Sequence, residues 1–75
     1  MSLKKEFERE IAILEVDIEE LEDKRMRSMS VLLECLISMR TPEESEVKFF
    51  RQYNRDIDKK RLRLKKAKEL LAKQD

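Results

Sequence analysis

The stretch "MRTPEES", residues 39–45, interrupts a chain that otherwise reads as helix from end to end. Thr41 is a good N-cap. Pro42 is tolerated at a first helical position, because its missing N–H would find no partner there. Glu44 stands three residues after Thr41, which is the capping-box spacing, and Glu43 and Glu44 place two carboxylates at the positive end of a helix dipole. Pro42 also drives Thr41 out of helical geometry, so a preceding helix should end near Met39 or Arg40. The stretch therefore predicts a stop, a turn at about 40–42 and a restart. The alternative is a single long helix kinked at the proline.

Composition supports helices on both sides. The chain has 75 residues, 47% of them charged, with no Gly, one Pro and no Trp. Without Gly, the φ > 0 turns of hairpin-rich β folds are hard to build. Abundant Glu, Lys, Arg and Leu at helical spacing is the composition of coiled coils. One domain spanning residues 1–75 is expected, too small to bury much core alone.

Helix 1 should run from about 3 to 40 and helix 2 from about 42 to 73. On helix 1, Ile11, Leu14, Ile18, Leu21, Arg25, Ser28, Leu32, Cys35 and Met39 recur in alternating steps of three and four, the heptad seam of a coiled coil. On helix 2, Phe50, Tyr53, Ile57, Lys60, Leu64, Ala67 and Leu71 do the same. A fold at the turn sets Cys35 against Phe50, Leu32 against Tyr53 and Ser28 against Ile57. It also sets Arg25 against Lys60, Leu21 against Leu64, Ile18 against Ala67 and Leu14 against Leu71. Charge favours the same antiparallel arrangement. The first 24 residues carry nine acidic and four basic side chains, and residues 51–73 carry ten basic and three acidic ones. The expected fold is an all-α, two-helix antiparallel coiled-coil hairpin.

A hairpin leaves apolar surface over. Met26, Met29, Val31, Leu33, Leu36 and Ile37 lie off the helix 1 seam, and Val47, Phe49, Leu62 and Leu70 lie off that of helix 2. Leu3 and Phe7 should extend past the end of helix 2. A stripe this broad is buried against something else, and the simplest partner is a second hairpin, giving a homodimeric four-helix bundle. The expected interface is Leu3, Phe7, Met26, Met29, Leu33, Leu36, Phe49 and Phe50. Met29, Leu33, Leu36 and Phe49 form a Met-rich surface that, alongside dimerisation, could receive a helix of another protein. Arg25, Ser28 and Lys60 form a polar layer within the seam. Its two cations can snorkel to solvent, near Glu22, Asp23 and Asp56, or can specify register.

The chemistry is sparse. With no His and one Cys, Cys–His nucleophiles and Cys/His zinc sites are excluded, and no Gly-rich phosphate loop occurs. Pairs such as Glu15 with Glu19 are common on solvated helix faces. No catalytic residue, cofactor or metal is expected. Cys35 reads as a small seam residue, and a lone cysteine suits a cytoplasmic protein. No apolar run approaches a membrane span, and the charged N-terminus shows no export signal. "KKRLRLKKAK", residues 59–68, could grip phosphates or serve as the basic side of the hairpin's own pairing. It lacks aromatics for base stacking, and the net charge of +1 disfavours nucleic acid as a partner.

"QYNRDIDK", residues 52–59, resembles the second-helix signature of the Spo0E-like aspartyl-phosphate phosphatases, small bacterial helical hairpins with a Ser-Gln-Glu-Leu-Asp motif. Asn54, Arg55, Asp56, Ile57 and Asp58 stand in that place, with Asp58 the identical residue and a longer interhelical segment. The resemblance implies response-regulator dephosphorylation involving Asp58. Composition and patterning point first to a non-enzymatic interaction module, such as a small adaptor, chaperone or regulatory subunit.

Overall fold

A computed structural model describes residues Ser2–Gln74. It contains two helices, α1 (Leu3–Ile37) and α2 (Glu44–Ala72), which pack on each other. The molecule is 55 Å long. At 1.5 Å per residue, α1 alone accounts for that length, whereas an unbroken helix of the whole chain would reach about 110 Å. The chain therefore doubles back at Pro42, and the kinked-rod alternative is excluded.

α1 starts on Ser2, whose Oγ accepts from the Lys5 amide at 3.2 Å. It ends at Ile37, three residues before the expected stop, by a Schellman motif. The Arg40 amide donates to the Cys35 carbonyl at 2.8 Å and the Met39 amide to that of Leu36 at 3.2 Å. Met39, with φ 56°, takes the left-handed position that glycine usually fills. It is thus an exposed turn residue and not the last member of the seam.

α2 begins at Glu44, later than the expected 42. Glu43 is its N-cap and makes no side-chain capping bond, so the anticipated Thr41 capping box does not form. Pro42 and Val47 instead occupy the two positions of a hydrophobic staple, and both are half-buried. Pro42 still blocks helix at Thr41, as the stop–turn–restart pattern requires.

The remaining seam residues are all buried or half-buried, while the side chains between them are mostly exposed. Leu14, Ile18, Ile57 and Ala67 are the fully buried set, with Ile57 at 0% exposure. Leu14, Ile18 and Ala67 sit in the half of the hairpin away from the turn, and Ile57 sits at the midpoint of α2.

The register differs from the expected one. Lys60 meets Asp17 and Arg25 meets Asn54, where the sequence pairing set Lys60 against Arg25. Leu14 shares a groove with Lys60 and Arg63, and Ser28 shares one with Phe49 and Tyr53. All of these shift the same way, by about a heptad, whereas the long Arg61 side chain reaches Glu22, two residues from the expected pairing. Leu14 consequently lies near Leu64 rather than Leu71, and Phe7, now level with Leu71, is half-buried instead of overhanging. A heptad slip keeps every seam residue on the seam, so periodicity alone does not distinguish the two registers.

Candidate functional site

The most distinctive surface lies on α1 towards the turn. Between Ser28 and Met39, Glu34 is the single charged residue. Met26, Met29, Leu33 and Leu36 are 68%, 43%, 49% and 73% exposed. Their steps of three, four and three form a second seam, turned roughly 100° from the one that packs on α2. A helix at the corner of a four-helix bundle needs two apolar stripes at about this angle.

Cross-hairpin bonds fix which flank the stripe occupies. Arg61 Nη2 lies 3.3 Å from Glu22 Oε1, and Arg25 Nη1 donates to Asn54 Oδ1 at 3.2 Å. Met29 and Leu36 follow Glu22 at intervals of seven, while Asn54 and Val47 precede Arg61 at the same interval. These residues therefore share one flank of the hairpin. Lys60 Nζ and Asp17 Oδ2, 3.1 Å apart, lie on the other.

The polar layer is thereby resolved. Arg25 and Lys60 do not oppose each other, and neither uses Glu22, Asp23 or Asp56. Each crosses the hairpin to a partner of its own, Asn54 or Asp17. Ser28 is half-buried beside Tyr53 in an open groove of about 410 Å³, which Val31 and Phe49 also line. Asp17, Asn54 and Arg61 were not expected as partners of the seam cations or of the other flank residues. Their seven-residue spacing from other flank positions was the available signal.

The eight expected interface residues do not form one patch. Met26, Met29, Leu33 and Leu36 do. Phe49 is exposed on the opposite flank, Phe50 is half-buried on the seam, and Leu3 and Phe7 lie at the far end. Exposed Ile13 and Val16, on the acidic half of α1, add apolar surface not anticipated.

Of the seven basic residues in 59–68, Lys60 and Arg61 form ion pairs with α1. Lys59, Arg63, Lys65, Lys66 and Lys68 are exposed and make no ion pair among the described residues. Cys35 is half-buried in a groove near the turn with Val31, Arg40 and Glu46. Asp58 is exposed, one residue beyond the fully buried Ile57. Among the described residues no three carboxylate or thiol side chains converge as a metal site would require, and no helix is long and apolar enough to cross a membrane.

Comparison with protein-family models, curated proteins and solved structures finds no match to this chain.

Proposed function

We propose that the protein is a non-enzymatic protein–protein interaction module, a helical hairpin that self-associates into a dimeric four-helix bundle. The observation that carries this is the Met26–Met29–Leu33–Leu36 stripe, an ordered second seam left in solvent by the hairpin itself. Burying a large apolar side chain contributes roughly 1.5–3 kcal/mol, so four of them at coiled-coil spacing favour association strongly. The fully buried core of a lone hairpin is four side chains, three of them away from the turn and the fourth, Ile57, at mid-length of α2. The turn-proximal half is thus the part that gains most from a partner. An adaptor, a chaperone or a regulatory subunit would use such a module to hold helices together.

The test is sedimentation equilibrium on the native chain and on Leu33→Lys. The native chain is expected to sediment as a dimer that persists at 1 M salt, since apolar burial holds it. Leu33→Lys is expected to be a helical monomer. A native chain that stays monomeric to millimolar concentration would refute self-association.

The five outward cations of residues 59–68 support a second reading, in which α2 binds nucleic-acid phosphates. That reading requires affinity for RNA or DNA that falls steeply as salt rises. Binding that is absent at low salt, or insensitive to salt, would dismiss it.

A further inference from the structure

We infer that the occupant of the exposed face is a second copy of the chain, with the two α1 helices antiparallel about a two-fold axis level with Val31. The inference rests on the self-association reading and specifies its geometry. Spacing comes first. The steps from Met26 to Leu36 read the same in both directions, so a two-fold axis sets Met26 of one copy opposite Leu36 of the other and Met29 opposite Leu33. Each contact is then made twice, as an isologous interface demands. The overlapping helical segment, residues 25–37, is about 20 Å long.

Charge then selects the orientation. Continued towards the N-terminus, the same stripe becomes Glu22, Glu19 and Glu15. A parallel dimer would hold these carboxylates against their own copies. The antiparallel one carries them past the partner's turn, clear of like charge.

α2 supplies independent complementarity. Val31 shares a groove with Glu46 and Phe49, so Val47 lies level with the proposed axis. On the flank that bears the stripe, Glu44 stands three residues before Val47 and Arg51 four after it. The two-fold axis brings Glu44 of one copy opposite Arg51 of the other, twice, around a central pair of Val47 side chains. Arg51 makes no ion pair within its own chain among the described residues, and Glu44 holds only an exposed i,i+4 contact to Lys48 at 3.5 Å. A second copy therefore matches this face in apolar spacing and in charge together.

Two measurements test the arrangement. The first uses a Cys35→Ser background in which Met26→Cys and Leu36→Cys chains are mixed and oxidised. Disulfides are expected between positions 26 and 36 of different chains. Each variant alone should cross-link at least tenfold more slowly, because like positions lie about 15 Å apart along the axis. Rapid 26–26 and 36–36 cross-links would overturn the antiparallel geometry while leaving self-association intact. The second keeps Cys35 and so does not depend on that background folding. Arg51→Glu and Glu44→Arg are each expected to raise the dimer dissociation constant about tenfold, and the two together to restore it. Additive weakening, or no weakening, in a chain that still dimerises would likewise overturn the geometry. A native chain that is monomeric would instead sink the reading beneath it.

Discussion

The ammonium of Lys60 lies 3.1 Å from the carboxylate of Asp17, across the hairpin at the edge of its seam. Both side chains are partly solvated, so the pair itself is worth roughly 0.5–1 kcal/mol. Its larger effect is on register. A slip of one heptad would keep the apolar seam in place but would set Lys60 against Arg25. The structure avoids that by giving each cation a partner on the other helix.

Asp17→Ala is accordingly expected to lower stability by roughly 0.5–1 kcal/mol in urea unfolding. It should also populate the slipped hairpin. Spin labels at exposed positions 20 and 66 should then report two populations whose axial offsets differ by about 10 Å, the length of seven helical residues. A single population at the native separation would show that other contacts hold the register.

Met39→Gly is expected to stabilise the chain by roughly 0.5–1 kcal/mol. A left-handed φ costs a non-glycine residue about 1–2 kcal/mol, partly offset by the greater freedom of glycine when unfolded. Met39 is 95% exposed, so no packing is lost. Met39→Val should destabilise, because a branched Cβ is worse still at φ 56°. Thermal melting of the pair checks both signs, and equal midpoints would contradict the turn geometry.

The turn makes a second, opposite pair of predictions. Glu43 occupies the N-cap without a side-chain bond, so Glu43→Asp is expected to add roughly 0.5–1 kcal/mol by supplying one. Thr41→Ala should change stability by less than about 0.5 kcal/mol, since Thr41 caps nothing, whereas a true N-cap threonine would cost about 1 kcal/mol. A large loss at Thr41 would mean that the helix starts earlier than Glu44.

These turn residues show where the sequence was legible. Pro42 and the two heptad seams sufficed for the hairpin, because a proline stop and a period of 3.5 are local signals. Ser2, a residue type that favours N-caps, carried the start of α1. The end of α1 was hidden for a physical reason. Its stop uses the left-handed conformation of Met39 in a chain without glycine, so no residue type marked it. The register was hidden as well, because heptad periodicity does not distinguish two pairings one heptad apart. Lys60 and Arg25 were visible as misfits in the seam, but their partners depended on the register. The apolar stripe could be read because it combines apolar residues with a scarcity of charge from Ser28 to Met39. Phe49 and Leu3 belonged to the same composition yet fell elsewhere: Leu3 lies 23 residues before Met26 on α1, about 35 Å away, and Phe49 lies on the flank opposite the stripe.

The two halves of the hairpin should respond differently to truncation. Ile57 is fully buried within one chain, so Ile57→Ala is expected to cost about 2–5 kcal/mol at any protein concentration, through lost burial and the cavity left behind. Leu36 is largely exposed in one chain, so Leu36→Ala should leave the isolated hairpin almost unchanged. Its effect should appear through association. The native melting temperature should rise with protein concentration, as it does when folding is coupled to dimerisation, and Leu36→Ala should flatten that dependence. Melting curves across a hundredfold concentration range read both effects at once. An Ile57→Ala penalty that vanished on dilution, or a Leu36→Ala penalty that did not, would place the core and the interface the wrong way round.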